Sequence, residues 1–345
     1  MKDSDWGKFT AFQKALSETL LACGKGTIGV DGKFGGDTRT GIIDLPSCPG
    51  FEGLTVSSAH PLWGTVHTAL WKRLLPDTPL PTIHERAFSL SLTHEGTDYN
   101  RVEWNYGTAD DKSALTWGPF GATVGWGNEV RGILRRVHER NDELLKDTFG
   151  EEFLSVSKLM EEDARMGYEL MKGVHDDLKR RENFKKKLQA LGTTAEGRAA
   201  YDWFAFESNE WLKPNFKKFY SLIPNAESTA TEIDYAYFLD LGMHAGIKRE
   251  RIDDCQNAIR AREEELGRSL TPSERRQVIG NVFVNAINQR WRKDRMGRNV
   301  VFYIDGIPQE DLSEEEVNAW NQRSGLRASN FGLSDNRNYF PDFLR

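Results

Sequence analysis

A chain of 345 residues with 46 basic and 52 acidic side chains carries a net charge of −6. That excludes the strongly basic footprint needed to bind nucleic acid by counterion release. Its 10 Trp and 19 Phe exclude a disordered chain with nothing to bury, and the absence of any run of 18 apolar residues argues against membrane insertion. At roughly 150 residues per domain the length suits a sizeable core with a smaller module attached. The acidic-polar opening, Met1-Lys2-Asp3-Ser4-Asp5-Trp6, lacks the basic flank and apolar stretch of a signal peptide. The expectation is synthesis in the cytoplasm, with any work beyond the membrane reached by another route. Cys23, Cys48 and Cys255 have no Cys-x-x-Cys spacing, so neither a disulfide framework nor a zinc site is expected. A Cys23–Cys48 bridge would require an oxidising compartment.

Taken in order, Phe9, Phe12, Leu16, Leu20 and Leu21 fall at helical spacing, and Gly24, Gly26 and Gly29 end that helix. A turn-rich stretch, Asp31-Gly32-Lys33-Phe34-Gly35-Gly36-Asp37-Thr38, precedes a short apolar helix around Thr40 to Ile43. Residues 46–62, rich in Pro, Ser, Gly and Thr, predict a linker, so residues 1–60 are set apart from 61–345. Helical periodicity returns from Pro61 to Leu75 and again from Ile83 to Thr93, where Ala87, Phe88, Leu90 and Leu92 are apolar. Residues 96–128 turn glycine-rich and aromatic, as a loop or small hairpin would. Helices are then predicted over 127–149, 151–172, 176–191, 196–211, 227–247, 252–266 and 272–295. The mixed-charge run 158–192, with Lys179-Arg180-Arg181 and Lys185-Lys186-Lys187, reads as a solvated helix face. The fold class is mainly α with a small β-hairpin.

Several familiar motifs fail. Ala22-Cys23-Gly24-Lys25-Gly26-Thr27 lacks the upstream glycine of a phosphate loop and follows a helix. His94-Glu95 lacks the second histidine of a zinc protease, and no Gly-x-Ser-x-Gly occurs. What survives is residues 93–128. Glycoside cleavage needs one carboxylic acid kept protonated by an apolar site, and a second carboxylate kept ionised in a polar loop. Glu95, at the end of an apolar helix, suits the first role; Asp110 and Asp111 suit the second. On composition alone, an ordinary surface glutamate beside a glycine-rich loop is the commoner reading.

A helix ending in Glu95-Gly96, followed by Thr123-Val124-Gly125-Trp126-Gly127, resembles the active-site signature of the lysozyme-like superfamily, as seen in phage lysozymes. Chitosanases of that superfamily have Glu, then Asp, then Thr five residues on, and Asp111 and Thr116 reproduce that step. Tyr237-Phe238-Leu239-Asp240-Leu241-Gly242-Met243-His244-Ala245-Gly246 is similar to a chitosanase helix that buttresses the cleft. In those enzymes its Asp joins buried arginines, so Asp240 and His244 are expected to support the fold, with Arg290 or Arg292 as the basic partner. Phe12-Gln13-Lys14-Ala15-Leu16 with Val30-Asp31-Gly32-Lys33-Phe34-Gly35-Gly36-Asp37-Thr38-Arg39 is similar to a helical peptidoglycan-binding module marked by an Asp-Gly-x-Phe-Gly-x-x-Thr turn, which points to Asp31 and Phe34 for cell-wall binding. Its third helix falls near 61–75.

The resemblance implies a two-lobed lysozyme-like hydrolase cleaving the β-1,4 glycan of bacterial peptidoglycan. Glu95 would be the general acid, Asp111 or Asp110 the base, and Thr116 or Thr123 the holder of water. Trp104, Tyr106, Trp117 and Trp126 are candidates for stacking on sugars, against the commoner role of aromatics in cores. This chemistry needs no metal or organic cofactor. The implied setting is a phage endolysin or a virion-associated lysin, acting on the wall after release or alongside other virion proteins. Alternatives are a chitosanase-like hydrolase, a lytic transglycosylase using Glu95 alone, or an inactive cell-wall-binding or structural protein.

Overall fold

The computed structural model describes residues 7–30, 36–54, 64, 66, 68–95, 99–108, 112–125, 127–244, 249–323 and 325–345. Mostly helical, with one three-stranded antiparallel sheet, the chain forms two compact units. One is Glu95–Pro214. The other joins Ser4–His94 to Asn215–Arg345. The chain thus passes between units at 94/95 and 214/215. The expected boundary at residue 60 lies outside the described residues.

In the larger unit, helices α1 (Gly7–Ala22), α2 (Gly36–Asp44) and α3 (Thr68–Leu74) form a cluster. Phe12 stacks on Trp71 at 5.4 Å, so the third helix expected near 61–75 packs on the first. Thr38 lies within α2, where its buried hydroxyl accepts from Gln13 Nε2 at 3.0 Å. Contrary to the sequence expectation, Cys23 and Cys48 are joined by a disulfide, their Cα atoms 5.5 Å apart; α1 and the turn after α2 bring together two cysteines whose spacing carried no signal. Cys255 stays a buried thiol. Helix α4 (Ile83–Glu95) follows.

The smaller unit begins with the sheet: β1 (Val102–Trp104), β2 (Ser113–Trp117) and β3 (Ala122–Gly125), in that order. Leu115, Trp117, Ala122 and Val124 are fully buried, whereas Thr116 and Thr123 between them are half-exposed. This alternation makes one face core and leaves the other to solvent. Helices α5 (Glu129–Arg140), α6 (Asp142–Phe149), α7 (Phe153–Glu161), α8 (Ala164–Asp176), α9 (Leu178–Thr193) and α10 (Ala195–Asp202) surround it, and a π-helical turn spans Trp203–Glu207. Here the single helices expected over 127–149 and 151–172 are each two. Asn141 breaks the first, accepting from Leu144 N, and Asp163 breaks the second, accepting from Met166 N. A short polar side chain that captures a backbone N–H starts a new helix instead of continuing the old one.

Helix α11 (Leu212–Tyr220) leads back to the larger unit, followed by α12 (Ala226–Thr229), α13 (Glu232–His244), α14 (Arg249–Leu266), α15 (Pro272–Ala286), α16 (Gln289–Tyr303) and α17 (Glu314–Asn321). Helix α15 packs between α14 and α16, and α16 also meets α13 and α17. The helix expected over 272–295 is interrupted at Ile287 and Asn288, where Asn288 caps α16 through Arg290 N. No described helix is long and apolar enough to cross a membrane.

Candidate active site

The sheet is locked from behind by one tyrosine. Tyr201 of α10 is fully buried; its hydroxyl donates to Trp117 O at 3.0 Å and accepts from Phe120 N at 3.1 Å, pinning both ends of the β2–β3 turn. Burial holds this phenol well above its ordinary pKa. At Gly118, φ is +74° and a Cβ would lie 2.5 Å from the Tyr201 ring, so only glycine fits. At Gly125, φ is +110° and a Cβ would meet Lys112 O at 2.9 Å. Both glycines of the Thr-x-Gly and Trp-Gly-Pro runs are therefore demanded by the hairpin itself.

On the solvent-facing side, register places Glu103, Thr116 and Thr123 directly opposite one another across three strands. Directly opposed residues share a face with Cβ atoms about 4.5–5.5 Å apart. The two threonines differ in what they hold. Thr123 Oγ1 donates to Glu129 Oε2 at 2.7 Å and accepts from Gly127 N at 3.0 Å, and the Thr123 N–H donates to the same carboxylate oxygen at 2.9 Å. Both roles of this hydroxyl serve the start of α5. Thr116 Oγ1 accepts from Asn105 Nδ2 at 2.8 Å, which leaves its O–H proton available to donate. Glu103 pairs with Arg101 at 2.7 Å. Asn105, Glu103 and Glu129 were not singled out by sequence. Asn105 stands between two aromatics that drew attention instead, and the position of Glu129 as first residue of a helix six beyond Thr123 is the signal that could have found it.

The remaining expected residues divide sharply. Glu95 ends α4, but its side chain lies outside the described residues, as do Asp110, Asp111, Trp126, Asp31, Phe34 and the side chain of His244. Trp117 is corrected to a core residue: it is fully buried, stands edge-on to Tyr201, and donates its indole N–H to Tyr99 O at 2.6 Å, so no sugar reaches it. Trp104 and Tyr106 are half-buried and stack on each other at 6.4 Å. The Tyr106 hydroxyl donates to Tyr168 O at 2.6 Å, and burial raises its pKa.

Asp240, on α13 in the larger unit, is completely buried, with Oδ2 2.5 Å from Arg295 Nη2 and Oδ1 2.5 Å from Arg298 Nη2. The expected arginine network exists, but its members are corrected. Arg290 and Arg292 are exposed, with Arg290 over the Trp291 ring and Arg292 on Asn285 O. Arg295 and Arg298 occupy the inner face of α16, as a helix extending to Tyr303 permits and one ending at 295 does not. Among the described residues, no group of three or more His, Cys, Asp or Glu is placed to hold a metal ion.

No protein-family model matches the chain, and neither does any curated protein. Among solved structures it is similar to a native chitosanase from Bacillus subtilis MY002, with a TM-score of 0.44 and 18% identity over 69% of this chain and 98% of that one.

Proposed function

We propose that the protein is a lysozyme-like glycoside hydrolase cleaving β-1,4-linked amino-sugar polymer. The observation that carries the reading is the division of labour between Thr116 and Thr123. Thr123 is committed to α5, while Thr116 keeps a donor on the exposed sheet face, five residues beyond Asp111. A hydrolase needs such a hydroxyl to orient the attacking water. In this reading Glu95 gives its proton to the glycosidic oxygen as the C–O bond breaks. Asp111 takes a proton from water as the water oxygen bonds the anomeric carbon. Asp240 and its arginines keep α13 and α16 in place and do no chemistry.

Bacterial peptidoglycan is the proposed substrate, supported by the likeness of residues 12–39 to a cell-wall-binding module. The setting would be a lysin reaching the wall after release or within a virion. A second reading, cleavage of chitosan, is favoured by the same threonines, since the Asp111–Thr116 step is the chitosanase-like one. The test is to incubate the purified chain with peptidoglycan and with chitosan in parallel and weigh the products. Peptidoglycan fragments carrying one added water support the first reading, and chitosan fragments alone support the second. Anhydro products would assign a transglycosylase, and intact polymers would refute an enzyme.

A further inference from the structure

Along the free edge of β1 the smaller unit has a recess of about 510 Å³, lined by Glu103, Trp104 and Asn105 on the strand, His175 at the end of α8, and Arg181, Glu182 and Lys185 on α9. That volume is in the range of small-ligand sites. Trp104 forms an aromatic wall, braced by Tyr106, by the edge of His175 at 5.4 Å and by Phe184 at 6.1 Å. Its indole N–H is buried and meets no hydrogen-bond acceptor among the described residues. A braced indole suits a ligand with a flat apolar face.

The other wall is cationic. Helix α9 reads as a uniformly solvated charged face in sequence, yet its cations have separate duties. Arg180 clamps the buried Glu152 at 2.8 Å, and Lys187 Nζ donates to Thr148 O at 3.0 Å. Arg181 and Lys185, four residues apart and so on one face, line the recess. Arg181 touches Glu182 only at 3.6 Å, longer than a hydrogen bond. Glu103, the carboxylate on the strand side, is already paired with Arg101. Asn105 connects the recess to the reaction face, because it lines the one and donates to Thr116 on the other.

We propose that this recess is a binding subsite for a carboxylate-bearing sugar unit, with the ring against Trp104 and the carboxylate between Arg181 and Lys185. The choice of a saccharide rests on the glycan-hydrolase reading; the charge preference rests on α9. The subsite would select an anionic glycan over a neutral or cationic one and so disfavour chitosan.

The test uses calorimetry on the full chain with three disaccharides: N-acetylglucosaminyl-N-acetylmuramic acid, neutral N,N′-diacetylchitobiose and cationic chitobiose. The anionic disaccharide should bind about tenfold tighter than the neutral one, and this preference should shrink as salt rises. Arg181→Gln with Lys185→Gln should erase the preference while leaving neutral binding unchanged. Lys185→Arg should restore it, which controls for misfolding. Equal affinity for all three sugars in the wild type, or a double variant with undiminished preference, overturns the subsite. Charge-dependent binding in a protein that cleaves no polymer would keep the subsite and sink the hydrolase. Cleavage without the charge preference would do the reverse.

Discussion

Asp240 in the larger unit and Asp202 in the smaller one are both buried, and their charges are handled in opposite ways. In the larger unit most buried carboxylates have a guanidinium, whereas Glu316 is held by the Tyr303 and Ser313 hydroxyls. Asp240 is held by Arg295 and Arg298, Asp234 and Asp335 share Arg276, and Glu232 takes both arms of Arg337. In the smaller unit, Asp202 is buried with a phenol as donor: Tyr99 donates to Oδ1, and Oδ2 meets no hydrogen-bond partner among the described residues. Desolvation then dominates and pushes its carboxyl up to about 7. The larger unit is built around fixed ion pairs. The smaller one, which carries the candidate reaction face, has Arg180 on the buried Glu152 but leaves Asp202 to a single hydroxyl.

If that contrast is right, removing Asp240 has the largest effect on stability. Asp240→Ala strands two buried guanidinium groups, and breaking a buried pair in this way typically costs about 3–5 kcal/mol. Thermal melts should show a large drop in Tm, with surviving folded protein keeping its turnover. A variant that melts like the wild type but has no activity would move Asp240 from supporting the fold to the chemistry.

The pH dependence of Asp202 sharpens the other side of the comparison. Its folded pKa lies above its unfolded value, so between about pH 4 and pH 7 the unfolded chain has released a proton that the native state retains. Stability therefore falls as pH rises through that window, by an amount on the order of 4 kcal/mol for a shift of this size. Asp202→Asn cannot ionise and keeps an oxygen for the Tyr99 hydroxyl. Relative to wild type it should be more stable at pH 8 than at pH 5. Parallel stability curves for the two proteins across pH would show that Asp202 is not the buried acid described.

A smaller effect separates the two threonines. Thr123→Val removes the hydroxyl that ties β3 to Glu129 and should lower stability by about 1 kcal/mol, as loss of a helix cap does, with turnover largely retained. Thr116→Val takes the acceptor from the buried Asn105 amide, so it should lower stability by about 1 kcal/mol and also slow glycan cleavage at least about tenfold. Reversal of the two outcomes would return the water-holding role to Thr123.

Much of the fold was legible because apolar periodicity is a local signal. Helices α1, α4, α9 and α14 follow it closely. Three of the misjudged boundaries share one cause: Asn141, Asp163 and Asn288 sit in otherwise periodic runs, and each captures a backbone N–H to begin a fresh helix. Helix α17 went unread although Ser313 and Glu316 carry a reciprocal cap that is visible in sequence. The candidate site was legible in its residue types and less so in its geometry. That Thr116 and Thr123 share one face was hidden until strand register put them side by side. Trp117 could not be told from a sugar platform until the alternation of β2 turned it inward. The choice of arginines for Asp240 depended on how far α16 runs, a tertiary fact that no local pattern in residues 290–298 encodes.

The central claim is tested most directly by the initial rate of reducing-end release from peptidoglycan and chitosan by wild type, Glu95→Gln and Asp111→Asn. A glutamine in place of Glu95 has no proton to give, and positioned acid catalysis is worth about 10²–10⁴-fold. The account predicts that Glu95→Gln loses that factor on whichever polymer the wild type cleaves, folds normally and still binds glycan, with Asp111→Asn also slow. A Glu95→Gln protein that releases reducing ends at the wild-type rate would contradict it.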